Sequence, residues 1–241
     1  EYYQAKEFLE QCMDIRSDFL PVRVNLAVIE SMSGQTDQAL ETLDTALNSE
    51  NLAHLVYYNR GNIYFRQNNF SQAIQSYEQA LSIQPAHMPS LINLGNLLIE
   101  TGEPQSALDK LLPLVESCPD NHALMTTIAM AYNVNGNLEE AIPYYERAIE
   151  INPDVPFHRI NLASIYVDLG YIDEAAAVLS GGLSYHDDHY GLNYNLARTY
   201  SLEEDWEEAR TYFNRAIESN PDSFDAYYNL GVSLQMLGEI E

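Results

Sequence analysis

Small and apolar residues recur along this chain on a ruler of 34 residues. Ala5, Ala39, Ala73, Ala107, Ala141, Ala175 and Ala209 follow one another at that spacing without a slip. A fixed period of this size is the signature of a solenoid built from one repeated supersecondary unit. Placing the alanine in slot 20 of 34 divides the chain into full repeats at 20–53, 54–87, 88–121, 122–155, 156–189 and 190–223. Residues 1–19 form the second half of a repeat and 224–241 the first half of another, all within a single array spanning 1–241. Slot 8 is always small: Ala27, Gly61, Gly95, Ala129, Ala163, Ala197 and Gly231. Slot 24 is always large and apolar or aromatic: Leu9, Leu43, Tyr77, Leu111, Tyr145, Leu179 and Phe213. Slot 7 is aliphatic except at Arg60, and slot 11 is Tyr or Leu except at Glu30. The offsets 4, 7, 8 and 11, followed by 20, 24 and 27, describe two amphipathic helices in succession. Small residues at slots 8, 20 and 27 let the two backbones approach while larger side chains fill the gaps between them.

The punctuation fits two helices per repeat. Gly34, Gly102, Gly136, Gly170 and Gly238 fall in slot 15 and suit the left-handed residue that closes a first helix. Asn69 with Gln72, Asn137 with Glu140 and Asp205 with Glu208 read as capping boxes opening a second helix. Pro85, Pro119, Pro153 and Pro221 in slot 32 end it. Pro113 is expected to bend the second helix in which it falls. Gly181 and Gly182 lie inside another, and each costs helix stability by roughly 1 kcal/mol relative to Ala. The repeat at 156–189 is therefore expected to be the softest element and a hinge.

With small residues at slots 8, 20 and 27, aromatics at 11 and 24 and Pro at 32, stretches such as 57–85 and 190–221 resemble the tetratricopeptide repeat (TPR) family, and the resemblance covers the whole chain. It implies an all-α TPR solenoid in which antiparallel helical hairpins stack into a right-handed superhelix. The first helices would line a concave groove through slots 2, 5, 6, 9, 12 and 13, and the second helices would form the outer wall.

On that groove, slot 6 holds Asn25, Asn59, Asn93, Asn161, Asn195 and Asn229, a ladder broken at Thr127. An asparagine amide offers both an acceptor and donors, so it can grip the C=O and N–H of an extended peptide without reading its side chains. The ladder resembles the one lining the superhelix of O-linked N-acetylglucosamine transferase. Two roles are open to it: holding a ligand, or hydrogen-bonding one repeat to the next. Slot 5 adds Tyr58, Ile92, Ile160, Tyr194 and Tyr228, either as apolar contact for a ligand or as packing between first helices. Members of the family that hold acidic C-terminal tails place Lys or Arg at slots 2, 5 or 6. None stands there here, and a bidentate grip on a terminal carboxylate needs such cations.

Charge changes the picture of the partner. The chain carries 36 acidic against 11 basic residues, a net −25. Nucleic acid and anionic membrane surfaces need a basic face and are excluded as partners. A basic protein partner is compatible, as is a role in solubility alone. Many of the acids sit at second-helix starts, such as Glu139-Glu140 and Asp173-Glu174, where they complement the helix dipole. No stretch approaches the ~20 apolar residues of a membrane span. Cys12 and Cys118 lie three repeats apart, so neither a disulfide nor a cysteine-based zinc site is expected. The segment His186-Asp187-Asp188-His189 has metal-ligand residue types but falls at a repeat junction, where polar loop residues are the default. No catalytic, cofactor or metal residue is assigned. No signal peptide is visible and the chain starts within a helical pattern, so it is expected to come from a longer protein, with a cytoplasmic location favoured.

The expected function is a non-enzymatic protein–protein interaction scaffold that binds an extended or helical protein segment in its groove. The alternatives are the substrate-recruiting TPR arm of a larger enzyme such as a glycosyltransferase, or a self-assembling scaffold. For the last, head-to-tail stacking would cover Leu230, Val232, Leu234 and Leu237 with Phe8 and Leu9 of another copy.

Overall fold

The computed structural model describes residues 2–16, 19–45 and 52–238. The chain divides into two compact units, Glu1–Leu111 and Leu112–Glu241. The first contains α1 (Tyr2–Ile15), α2 (Leu20–Met32), α3 (Thr36–Asp44), α4 (Ala53–Arg66), α5 (Phe70–Ile83), α6 (Met88–Glu100) and α7 (Pro104–Leu111). The second opens on a 3₁₀ turn at Leu112–Leu114. It continues with α8 (His122–Val134), α9 (Leu138–Ile151), α10 (Pro156–Leu169), α11 (Ile172–Leu183), α12 (Tyr190–Leu202), α13 (Trp206–Ser219) and α14 (Phe224–Met236). Among the described residues there is no strand.

In each unit a first helix pairs with the second helix of its own repeat, as α4 with α5 and α12 with α13. The next first helix then closes the stack, so that α10 also meets α12. The slots explain why. Ala39, Ala73, Ala107, Ala141, Ala175 and Ala209 are all wholly buried, and Ala5 on α1 is exposed. Leu43, Tyr77, Leu111, Tyr145, Leu179 and Phe213 from slot 24 are buried against them. The small residue at slot 8 makes room for that large one. A Cβ added at Gly61 would lie 2.5 Å from the Tyr77 ring, which is closer than carbon atoms approach. Burying side chains of this size contributes on the order of 1.5–3 kcal/mol each, so the repeat core carries the stability. Of the slot-27 residues, Ala46 lies outside the described residues.

Every slot-15 residue takes the left-handed conformation, with φ between 78° and 83° at the five glycines. Asn68 (φ 57°) and Glu204 (φ 62°) occupy the same slot and do so without being glycine. The two charged exceptions to the apolar stripe find partners. Glu30 is buried, accepts from the Thr42 hydroxyl at 2.8 Å and lies 3.5 Å from the Lys6 ammonium. Arg60 reaches back to Asp44 at 2.8 Å, joining two repeats.

Two local expectations need correction. Only Asp205 caps as expected, its carboxylate accepting from the Glu208 N–H at 3.3 Å. The Asn69 side chain donates to Gln72 instead, and the Asn137 side chain accepts from Asn135, so neither reaches a helix N–H. Pro113 does not bend a continuing α-helix: α7 ends at Leu111 and the proline sits in the 3₁₀ turn that follows. Gly181 and Gly182 do not break α11. They leave room for the Arg159 side chain, which would meet a Cβ at 3.0 Å and 2.9 Å respectively, and for Leu192. The Arg159 guanidinium lies 5.7 Å from the Tyr185 ring centre and donates to the Val178 carbonyl at 3.4 Å.

Candidate peptide-binding face

Slots 5, 6 and 9 fall on the first helices, and the asparagines in slot 6 do not all do the same thing. In the first unit Asn25 on α2 is exposed. Asn59 on α4 is half-buried and donates to the Leu55 carbonyl of its own helix at 2.7 Å. Asn93 on α6 donates instead to the Asn62 amide oxygen at 2.9 Å, and Tyr77 donates to that same oxygen at 2.8 Å. Asn93 thus ties α6 to α4 and to the buried Tyr77, whose phenol is pushed up to about 12, chiefly by burial. Tyr58 is half-buried, its ring 6.2 Å from Tyr77 and 5.2 Å from His87. Ile92 is half-buried as well.

In the second unit Thr127 replaces asparagine, is almost wholly buried, and donates to the Ala123 carbonyl at 2.9 Å. Asn161 is half-buried with its amide nitrogen enclosed and unpartnered. Asn195 donates to the Gly191 carbonyl at 2.7 Å. Asn229 donates to the Asp225 carbonyl at 2.7 Å and approaches the Tyr194 hydroxyl at 3.3 Å. The back-bond to the fourth preceding carbonyl occupies one N–H and leaves the amide oxygen and the second N–H directed off the helix. Tyr194 stacks on Tyr190 at 5.5 Å and meets Phe213 edge-on at 5.9 Å, and burial raises its pKa. Ile160 packs against the repeat core, whereas Tyr228 is 63% exposed and stacks on Phe224. Slot 5 is therefore mixed: Tyr58 and Tyr194 are half-buried packing residues, and Tyr228 is open surface.

Between α10 and α12 lies a cavity of about 90 Å³. Ile160, Val167 and Leu202 form its walls and Leu179 its floor, while Ser164, Asp168, Asn195 and Arg198 also line it. Sequence periodicity marked these slots but not the hollow, which exists because Ala163 and Ser164 are both short.

The histidines form pairs across repeat junctions. Thr126 donates to the His122 carbonyl at 2.8 Å, so its hydroxyl accepts from His158 Nδ1–H at 3.1 Å. His158 Nε2 is then left to accept from His122 Nδ1–H at 3.3 Å. His158 is 3% exposed, and burial with the neighbouring His122 pushes its pKa down to about 4. His54 and His87 lie 5.0 Å apart, centre to centre. His186 pairs with Asp154 at 3.0 Å and His189 caps α12, so the two histidines of the candidate metal segment have separate structural roles.

Tetratricopeptide repeat profiles match residues 1–56, 54–87, 124–155 and 156–180, and a TPR repeat profile matches 197–238. The chain belongs to the tetratricopeptide repeat family. Such repeats are protein–protein interaction scaffolds. Among curated relatives, the probable UDP-N-acetylglucosamine–peptide N-acetylglucosaminyltransferase SPINDLY of Hordeum vulgare is 29% identical over 66% of this chain and 18% of its own length. Anaphase-promoting complex subunit 3 of Schizosaccharomyces pombe is 21% identical over 73% of this chain and 26% of its own. BBSome complex member BBS4 of Bos taurus is 23% identical over 90% and 42%. The chain thus spans less than half the length of these relatives. Among solved structures, the Cut9–Hcn1 assembly of the anaphase-promoting complex superposes with a TM-score of 0.71 at 15% identity, over 97% of this chain and 46% of that one. A tetratricopeptide repeat protein from Parabacteroides merdae gives 0.67 at 18% identity, over 97% and 92%. These likenesses show the fold. No described helix is long and apolar enough to cross a membrane.

Proposed function

We propose that this TPR array is a non-enzymatic scaffold that holds an extended protein segment, basic in character, along the first-helix face. The observation that carries the reading is the state of Asn195 and Asn229. Each fixes its side chain by one bond to its own helix and keeps its amide oxygen as an acceptor for a passing backbone; Asn195 also keeps a second N–H, whereas that of Asn229 donates to the Tyr194 hydroxyl. Asn59 offers the same chemistry in the first unit, beside the half-buried Tyr58, and Asn25 adds an exposed amide on α2. Asn93 and Asn161 hold the array together or lie enclosed, and Ile92, Ile160, Tyr194 and Tyr228 supply apolar contact. The net charge of −25 speeds encounter with a cationic partner and does not by itself define the site.

The test is quantitative capture of partners from cell extract. Partners retained by the wild-type chain should be lost at least tenfold by Asn195→Ala with Asn229→Ala and kept by the outer-face control Glu146→Ala. Equal capture by all three chains would refute the reading. The similarity to SPINDLY favours a second reading, in which the array recruits substrates to a glycosyltransferase. That reading requires the captured proteins to carry sugar in the source cells.

A further inference from the structure

We propose that the cavity between α10 and α12 is an anchor pocket for an aliphatic side chain of a basic, extended segment. This rests on the first-helix face being the binding face and adds what that face reads.

The floor dictates an apolar tip. Leu179 is wholly buried, Ala163 is 2% exposed, and Ile160, Val167 and Leu202 surround them. The one polar side chain at depth, Thr199, is already satisfied, its hydroxyl donating to the Asn195 carbonyl at 2.9 Å. That uses its only proton, so the bottom offers a polar occupant no donor and at most the Thr199 hydroxyl oxygen as acceptor, and burying a polar group there would cost most of its hydrogen bonds. A cavity of about 90 Å³ is roomier than the ~10–15 Å³ that one water needs on the same measure, so it can admit a side chain of several heavy atoms. Leu202, 58% exposed at the rim, gains cover only when such a group is present.

The rim dictates the flanks. Asp168 on α10 is exposed, and no cation pairs with it among the described residues. Arg198 on α12 meets only the face of Tyr194, at 6.0 Å, and forms no ion pair with Asp168. The Asn195 amide lines the same cavity. A chain crossing the mouth meets a guanidinium for its carbonyl, an amide for its N–H and C=O, and a carboxylate for a neighbouring Lys or Arg. The charge of the whole chain favours that same neighbour.

The probe is a fluorescent peptide, Ser-Lys-Ser-Leu-Lys-Ser, also made with photo-leucine at the central position and with Asp in its place. Binding to the full chain is read by anisotropy and the contact by mass spectrometry of the photo-adducts. We expect adducts on α10 and α12. Affinity should fall at least tenfold with the Asp peptide and with Ser164→Phe, which plugs the mouth from an exposed position. Asp168→Lys should weaken binding several-fold at low salt. Leu202→Asp, on the opposite wall and also exposed, repeats the test independently of how Ser164→Phe folds. Adducts on other first helices, with affinity unchanged by Ser164→Phe and Leu202→Asp, would overturn the pocket and leave the binding face standing. Adducts confined to second helices, or no saturable binding, would overturn both.

Discussion

His158 makes the stability of the second unit depend on pH in a way the sequence alone does not suggest. The imidazole is 3% exposed, donates to Thr126 and accepts from His122, so it is held neutral. Its pKa falls from 6.5 to about 4, first because burial disfavours the cation and second because His122 would repel it. The folded pKa lies below the unfolded one, so the unfolded chain binds more protons between these values. The contribution of the neutral pair is present above pH 6.5 and lost as pH falls through that window. A shift of this size is worth about 3 kcal/mol when fully titrated and about 2 kcal/mol at pH 5. The acidic background works the other way, because protonating carboxylates relieves repulsion in a chain of net charge −25. The clean quantity is therefore a difference between chains. His158→Gln removes the titration, and the gap in unfolding free energy between it and the wild type should shrink by about 2 kcal/mol from pH 7.5 to pH 5. Urea denaturation followed by circular dichroism supplies the gap, and the NMR titration of the His158 ring supplies the folded pKa directly. A gap constant to within about 0.5 kcal/mol over that range, or a His158 ring that titrates near pH 6.5, would refute the reasoning.

The remaining predictions concern close packing, backbone strain and ligand choice. Gly61→Ala drives a Cβ to 2.5 Å from Tyr77 and should destabilise by about 1–3 kcal/mol in urea melts. Gly231→Ala, also in a first helix but with open space around it, should instead stabilise by about 0.5–1 kcal/mol through helix propensity. Glu204→Gly relieves a non-glycine residue held at φ 62° and should raise stability by about 0.5–1 kcal/mol, read as a higher urea midpoint at unchanged slope. Calorimetric titration with a peptide ending in acidic residues and a free carboxylate should give no submicromolar binding, because slots 2, 5 and 6 hold no cation.

The repeat was legible because its cause is local. Ala73, Tyr77 and Ala80 recur in kind every 34 residues, and each is buried by the same hairpin geometry. What was not legible depends on neighbours brought in by the stack. Glu30 and Arg60 read as breaks in an apolar stripe until Lys6, Thr42 and Asp44 are placed beside them. The pattern Asn-x-x-Glu or Asn-x-x-Gln promised caps at 69 and 137, yet the side chains found other amides first, as short polar side chains readily do. Gly181 and Gly182 read from propensity only as helix-weakening residues, and that the space they leave is filled by Arg159 and Leu192 shows only in the fold. The cavity beside Ser164 is the absence of side-chain volume, and an absence shows only when both walls are in position.

The asparagine ladder shows how one residue type in one slot is divided by its surroundings. Asn93 faces a repeat whose slot-9 residue is Asn62, an acceptor, and it is drawn into an inter-repeat bond. At the position matching Asn62, the repeat before Asn161 carries Met130, which offers no comparable acceptor, and the Asn161 amide nitrogen stays enclosed without a partner. Before Asn59, Asn195 and Asn229 stand Val28, Ser164 and Arg198, and all three asparagines turn back to their own helix. The back-bond holds the side chain in one rotamer while sparing its oxygen, so under the proposed function these three would lose little freedom on binding. A ladder uniform in sequence is thus two populations in structure. Substitutions at Asn93 should be read as stability, and substitutions at Asn59, Asn195 and Asn229 as recognition.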